Sequence, residues 1–463
     1  MKSTLFNTYA LSLVGLSLIV NVIFLFIYNP HVYFAITQVH GQVGYNLINY
    51  ASVKLNPALS AHIKEEMQEK NTLIDFDQIN KLDFEEPTAS FPINDTVGYG
   101  VLLGFLWKIT HSFKFFDIQI MQIIIFSLLM LFYYQVALLL FGNRGVAFLC
   151  GIAQLLFFPL IAYNLMPVRD VWAYYGLLML VYGMLSYLRN AISKVGFFSC
   201  LLFFIICLWM RPTLFLSVIL ATFFLLIVLY KKPQYKDNIL YVLVSTWITC
   251  CGLFWVPFMK FNMDNYNRYV VSPAGQSMLE GLGEIPNKWG HALNDEYVRD
   301  FIGTKYGLQY GTPEFDEVAM QEFKQNVREE PLHYLKTLLY RLPDVLLPGL
   351  QWIFYAQSPY AHCVGIKQKL VCAFSSFGSA IRFLLRQLYM RLYLIVGYIG
   401  LFLLWRDKKY TALFVILICL LSGLSTFPSH IEYRYIVPFY WVFSFGVGYA
   451  IHICKMFFFQ ATF

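Results

Sequence analysis

The chain has 463 residues, of which 58% are hydrophobic and 19% aromatic, and its formal net charge is +7. A soluble chain of this length would form two or three domains, but here the apolar residues come in stretches long enough to cross a bilayer. The basic residues lie in short loops without the interleaved aromatic side chains of a nucleic-acid surface, which argues against nucleic acid as a partner. The composition therefore predicts an all-α polytopic membrane protein.

A helix needs roughly 20 apolar residues to span a membrane. The first apolar run is longer than the core of a signal peptide and no small-x-small cleavage site follows it, so we interpret it as a retained span. Ten spans are predicted, at 9–28, 117–140, 145–164, 170–188, 196–211, 212–230, 239–258, 388–405, 410–427 and 435–454. The chain then divides into a first span (1–28), a first extracytoplasmic loop with interfacial helices (29–116), a transmembrane bundle (117–258), a second extracytoplasmic loop (259–387) and a C-terminal bundle (388–463).

Two further apolar segments are predicted to lie at the membrane interface. Residues 97–113 are short for a span, and a crossing there would invert every later loop. Residues 342–357 contain two prolines and one acid, which favours a re-entrant or interfacial piece.

The polar segments between the spans alternate in charge. One set is short and basic, and it holds only two of the 27 acidic residues, Asp237 and Asp407. The other set contains both long loops and all the remaining carboxylates. By the positive-inside rule the basic set is cytoplasmic, which predicts a multi-pass membrane protein with both termini in the cytoplasm.

Three arginines lie near span ends on the predicted outer side: Arg169, Arg211 and Arg434. Arginine suits a phosphate or pyrophosphate, because its planar fork binds two oxygens and keeps its charge. The alternative for each is a pair with a nearby acid, Asp170 or Glu432, or contact with lipid phosphates. His430 lies beside the last of these groups and is a supporting candidate.

A general base would have to be a carboxylate near the membrane surface. Asp95 is the first candidate, because the interfacial segment that follows it would fix its depth, and Glu85 and Glu86 are the next. The alternative role for Asp95 is a helix N-cap, and the two roles are compatible.

The sequence names no cofactor. Its histidines lack the spacing of a metal site, although a divalent ion held by loop carboxylates stays an open alternative. Cys363 and Cys372 lie in the second loop and either form a disulfide or remain free. The outer compartment is predicted to be oxidising, which would allow the disulfide.

Taken in order, four short motifs resemble the GT-C superfamily of membrane glycosyltransferases, among them the bacterial relatives of protein O-mannosyltransferases and lipid A aminoarabinose transferases. They are P-x-x-D-T-x-G-Y-x-x-L-L-x-x-L-W-K from Pro92, R-D at Arg169, R-P-T at Arg211 and E-x-R-Y-x-x-P from Glu432. The stretch from Tyr266 to Gly283 also looks like the start of a second outer loop in such enzymes.

The resemblance implies transfer of a sugar from a polyprenyl-phosphate donor to a lipid, glycan or protein acceptor on the outer face. The family's usual acidic residue soon after the first span is missing, because the chain has no acid between Asn29 and Lys64 and carries His31, Gln38, His40 and Gln42 there. Two other classes stay open: a transporter or flippase of lipid-linked or anionic solutes, and an O-antigen polymerase or ligase.

Overall fold

The helical architecture is that of an all-α membrane protein. A computed structural model of the chain describes residues 7–27, 34–70, 74–79, 84–89, 97–231, 233–269, 274–347, 377–429 and 433–460. Throughout these residues the only β contact is one antiparallel bridge, between Leu55 and Ala89.

The helices up to the second loop begin with α1 in the first predicted span. They are α1 (Thr8–Ile27), α2 (Phe34–Tyr50), α3 (Pro57–Lys70), α4 (Phe76–Ile79), α5 (Val97–Thr110), α6 (Phe115–Phe141), α7 (Arg144–Leu155), α8 (Phe158–Leu165), α9 (Val171–Leu188), α10 (Lys194–Met210), α11 (Phe215–Lys231), α12 (Lys236–Cys250) and α13 (Val256–Tyr266). A π-helical turn, Cys251–Trp255, joins the last two into one long rod.

The second loop and the C-terminal bundle contribute the remaining helices. They are α14 (Ala274–Gly281), α15 (Asp295–Tyr306), α16 (Pro313–Glu329), α17 (Pro331–Leu346), α18 (Phe377–Arg406), α19 (Tyr410–Gly423), α20 (Tyr433–Ile436) and α21 (Phe443–Gln460).

Seven helical segments among the described residues are long and apolar enough to cross a membrane. They are Thr8–Phe26, Phe115–Phe141, Val171–Leu188, Pro212–Lys231, Lys236–Tyr266, Leu388–Arg406 and Val437–Phe457. The pair α7–α8, bent by 58°, counts as an eighth if it is one broken span, and α10 and α19 are shorter apolar helices at two further predicted positions. Multi-pass membrane character is thus confirmed, while the exact count of ten remains a prediction.

Glycines set how closely the spans approach one another. A Cβ at Gly176 or Gly183 of α9 would lie 2.6 or 2.9 Å from the Cβ of Cys207 or Cys200 on α10. Lipid gives helices no hydrophobic reason to associate, so close packing between small residues supplies much of the attraction. The two glycines, seven residues apart on one face, hold α9 and α10 side by side along most of their length.

The two ends of the bundle differ in what they carry. At one end the α8–α9 and α10–α11 connections meet α20, through contacts of Asp170, Arg211 and Tyr435. At the other end Arg189, Lys231 and Lys408 line a single groove. The residues that the charge pattern assigns to opposite sides of the membrane therefore lie at opposite ends of the bundle.

The first loop packs on the bundle through α5, where a Cβ at Gly98 would lie 2.4 Å from the carbonyl oxygen of Trp209 on α10, and α2 packs against α5. Gly44 and Gly104 allow the two helices to touch, because a Cβ at either would lie 2.9 Å from backbone atoms of the other. One face of α5 stays exposed at Val101, Phe105 and Ile109. At 14 residues α5 is about 21 Å long, too short for a span, and its apolar stripe suits the predicted interfacial position.

The second loop forms a small helical unit with its own core. Seven buried residues make up that core: Leu279, Leu282, Val298, Ile302, Phe315, Ala319 and Phe323. Pro331 separates its two amphipathic helices, α16 and α17. Of the segment 342–357, only the part to residue 347 is described, and it continues α17 through Pro343.

Candidate functional site

Arg211 and Asp170 form a buried ion pair at the loop-bearing end of the bundle. Arg211 Nη2 lies 2.9 Å from Asp170 Oδ1, and the two side chains are only 8% and 7% exposed. Asp170 lies at the N-terminus of α9, where the helix dipole favours a negative charge. Arg211 ends α10, its N–H donating to the carbonyl of Cys207, and Pro212 then starts a short 3-10 turn.

The antiparallel packing of α9 and α10 is what brings this pair together. The glycine contacts at Gly176 and Gly183 align the start of α9 with the end of α10, although the two charges are 41 positions apart in the chain (211 − 170). The structure thus realises the acid–arginine pairing alternative for Arg211. It does so inside the protein, where such a pair is poorly screened.

The C-terminal motif reaches the same place through Tyr435. Its ring centroid lies 4.8 Å from Arg211 Cζ, a distance at which the ring face attracts the cation. The guanidinium therefore has a carboxylate and an aromatic face as neighbours. The backbone of Arg434 is helical in α20, but its side chain lies outside the described residues, as do Glu432 and His430 entirely.

His40 of α2 lies at the edge of this cluster and is completely buried. Its ring makes an edge-to-face contact with Tyr99 of α5, with centroids 5.3 Å apart. Burial, with a smaller contribution from the positive charge of Arg169, holds the pKa of His40 well below its usual range, and Asp170 only partly opposes this. His40 is therefore a neutral imidazole at neutral pH.

A buried polar network holds the segment that carries Arg169 and Asp170. The side-chain oxygen of Gln122 on α6 accepts a hydrogen bond from Tyr99 Oη at 3.0 Å. Its amide nitrogen donates to the backbone carbonyls of Asn164 and Met166 at 2.7 and 2.8 Å. Tyr175 donates to Asn164, whose amide nitrogen donates to Asn21 at 2.8 Å. Each carbonyl satisfied here fixes the backbone just before Arg169, so the pair stands on a rigid support.

Arg211 Nε is buried and has no acceptor within the described part of the chain. Asp170 Oδ1 lies 2.9 Å from Arg211 Nη2 but makes no bond of hydrogen-bond geometry to a described residue, so the contact within the pair is mainly electrostatic. A buried donor without an acceptor costs free energy on the order of 1–3 kcal/mol, and such groups concentrate at functional sites. The pair thus offers one N–H donor, Arg211 Nε, to an oxygen atom of a ligand.

The predicted carboxylates are not part of this described cluster. Glu85 and Glu86 are exposed on the first loop, where the Glu85 carbonyl accepts from the side chain of Asn56 at 2.6 Å. Asp95 lies outside the described residues, two positions before α5 begins. Asp170, predicted only as a supporting residue, is the carboxylate that the structure brings to Arg211.

Arg341 of α17 has a central place that sequence reasoning missed. Its guanidinium is 1% exposed, pairs with Glu284 at 2.7 Å and donates to the carbonyls of Phe427, Pro428 and Gly281 at 2.8 to 2.9 Å. These bonds tie the second loop to the connection between α19 and α20. A signal was present, because Thr337, Arg341 and Val345 follow one another at four-residue spacing on the buried face of α17.

Metal ligation finds no support among the described residues, where no group of three or more His, Cys, Asp or Glu side chains could hold an ion. Cys363 and Cys372 lie outside them, so their pairing stays a prediction.

No protein-family model matches the chain, and no curated protein is detectably similar to it.

Proposed function

We propose that the protein is a membrane glycosyltransferase of the GT-C type, which transfers a sugar from a polyprenyl-phosphate donor to an acceptor hydroxyl on the extracytoplasmic face. The acceptor is a lipid, glycan or protein. Under this proposal the chain has ten spans in a bacterial inner membrane, and the basic end of the bundle faces the cytoplasm.

The observation that carries the proposal is the buried pair of Arg211 and Asp170, at the end of the bundle that bears both large loops. Arginine inside a membrane protein is costly and marks a functional site by default. Its Nε donor is unused within the described residues, and a phosphate oxygen is the acceptor that a guanidinium fork binds best. Arg211 is therefore the first candidate for the donor phosphate, with Arg434 and Arg169 beside it in the proposal.

The reaction would be a single displacement. The oxygen of the acceptor hydroxyl attacks the anomeric carbon, the bond from that carbon to the phosphate oxygen breaks, and the hydroxyl proton passes to a carboxylate. Asp95 is the proposed base, with Glu85 and Glu86 as alternatives. The leaving phosphate is already a stable anion, so stabilisation of its charge by arginine should matter more than protonation.

The test is turnover of radiolabelled polyprenyl-phosphate sugars by the purified chain in proteoliposomes. Arg211→Ala and Arg434→Ala should each reduce turnover by about 100-fold or more, a typical loss for a donor that stabilises developing charge. Lys at position 211 should restore part of the rate, because a point charge lacks the bidentate fork. Arg268→Ala is the control for loss of an exposed paired arginine, since Arg268 lies in the second loop, is 32% exposed and pairs with Glu314 at 2.8 Å, and thermal unfolding of each variant distinguishes lost turnover from lost fold.

The same preparation separates the other functional classes. A glycosyltransferase converts the donor to free polyprenyl phosphate, whereas a flippase moves the intact donor across the bilayer without consuming it. A polymerase or ligase of lipid-linked glycans would act on oligosaccharide carriers and leave monosaccharide donors intact. Full turnover in both alanine variants, or translocation without turnover, would refute the proposal.

A further inference from the structure

The groove at the basic end of the bundle lies far from the candidate site, and its lining is split between two kinds of side chain. Its volume is about 940 Å³, within the range of pockets that hold small ligands. The walls are apolar and come from Leu185 and Leu188 of α9, Phe224, Ile227 and Val228 of α11, and Phe414 of α19. Where these helices end, the groove is lined by Arg189, Lys231 and Lys408.

The three cations are free for a ligand. All three are exposed, no acid lines the groove, and no ion pair joins any of them to a described residue. Nearby, Arg406 is already paired with Asp407 at 2.8 Å. All the charged residues that line the groove are therefore positive.

Tyrosines indicate the depth of these cations in the membrane. Tyr235 and Tyr410 line the groove and are 40% and 51% exposed, and Tyr230 beside them is 88% exposed. Tyrosine is enriched at the headgroup level of bilayers, where its ring is apolar and its hydroxyl wet. The cations thus lie at the height of lipid phosphates, while the apolar walls lie at the height of acyl chains.

Below the groove the same helices enclose a narrow crevice of about 40 Å³, lined only by apolar side chains. It shares Leu185, Leu188 and Phe224 with the groove above. The floor is closed by the rings of Phe224 and Phe414, whose centroids are 4.9 Å apart. The lining is thus continuous from a charged rim to a dry interior.

From this arrangement we infer that the groove between α9, α11 and α19 is a binding site for one anionic phospholipid. Arg189, Lys231 and Lys408 bind its phosphate, and one acyl chain packs against Phe224, Ile227 and Phe414. A free phosphate would leave the apolar walls unused, and a neutral lipid would leave the cations unused. The inference requires only that the chain spans a membrane, and it does not depend on the proposed glycosyl transfer.

The test is native mass spectrometry of the full-length protein in mixed micelles that contain phosphatidylglycerol or phosphatidylcholine. The parent chain should retain one phosphatidylglycerol in preference to phosphatidylcholine. The triple variant Arg189→Gln, Lys231→Gln, Lys408→Gln should bind phosphatidylglycerol at least about tenfold more weakly, because each basic residue adds to the electrostatic part of the binding free energy for an anionic lipid. Ile227→Trp should also weaken retention although every charge is kept, because the indole would occupy the acyl-chain space.

The matched control removes three cations from the same end of the bundle but outside the groove. Arg144→Gln, Lys194→Gln, Lys236→Gln has the same change in net charge and should retain the lipid within about twofold of the parent chain. Glycerol 3-phosphate, which has the headgroup chemistry without the chains, should not displace the lipid.

Three results would overturn the inference. Equal losses in the two triple variants would mean a general attraction to surface charge, and displacement by glycerol 3-phosphate would mean a site for free phosphate. A dimer that disappears in the groove variant would mean that a second copy occupies the groove. If the groove triple variant fails to fold, as thermal unfolding would reveal, Ile227→Trp and the glycerol 3-phosphate competition still decide the question.

Discussion

Breaking the buried pair of Arg211 and Asp170 from both sides at once should cost less free energy of unfolding than the sum of the two single losses. Arg211→Met leaves a carboxylate that is 7% exposed without its cation, and Asp170→Asn leaves a guanidinium that is 8% exposed without its anion. Removing one member of a buried pair typically costs about 3–5 kcal/mol, against about 0–1 kcal/mol for an exposed pair. The low exposure of both groups places this pair among the buried pairs.

The double variant Arg211→Met, Asp170→Asn removes both charges at once, so neither group is left buried and uncompensated. Its cost should be smaller than the sum of the single costs by about 2–3 kcal/mol, the upper part of the range for residues in contact. The assay is equilibrium unfolding of the four proteins in mixed micelles, from which the free energy of unfolding and the coupling energy follow.

A second pair serves as the control. Arg268 Nη2 lies 2.8 Å from Glu314 Oε1, a similar separation, but these two side chains are 32% and 54% exposed. The cycle of Arg268→Met and Glu314→Gln should give a coupling below about 1 kcal/mol, because water screens the charges. Single costs at Arg211 and Asp170 that simply add, within about 0.5 kcal/mol, would refute the argument that the pair is buried and coupled.

Three further predictions concern the base, the buried histidine and the topology. If Asp95 is the general base, Asp95→Asn should cut turnover by about 100-fold or more with donor binding retained. A residue that only caps a helix would tolerate Asn, so a near-normal rate would assign the role of base to another carboxylate. Burial lowers the pKa of His40, so the unfolded chain takes up a proton at a higher pH than the folded protein does. The free energy of unfolding should therefore fall as the pH drops below about 6.5, the pKa of an unfolded histidine, by up to about 1.4 kcal/mol per pH unit. Thermal unfolding between pH 7.5 and 5.5 should show this loss diminished in His40→Gln but unchanged in His62→Gln, and equal pH dependence in both variants would contradict it. A membrane-impermeant thiol reagent on intact cells should label a cysteine placed at Lys324 but not one placed at Lys236, and the reverse pattern would invert the proposed topology.

The spans were readable from the sequence because their cause is local. A segment in lipid must satisfy its own backbone hydrogen bonds and present apolar side chains, so about 20 such residues in a row predict a helix without reference to any partner. The described helices α1, α6, α9 and α11 accordingly begin and end within a few residues of the predicted spans. The sidedness of charge was equally local, since each polar segment carries its own bias.

Arginines near span ends could also be identified as candidates from the sequence, because a charge in that position is costly wherever the chain goes. Which acid Arg211 meets could not. That depends on the register between α9 and α10, which is set by the contacts of Gly176 and Gly183 with the neighbouring helix.

Only the tertiary structure decided that His40 is buried against Tyr99, that Arg341 joins the second loop to the bundle, and that Arg189, Lys231 and Lys408 share one groove. The first two contacts join residues 59 and 86 or more positions apart, and the groove joins ends of helices from both halves of the chain. Burial and pairing of this kind are properties of helix packing, which depends on the shape of two surfaces at once. Hydropathy and charge are summed along one segment at a time and hold no information about that shape.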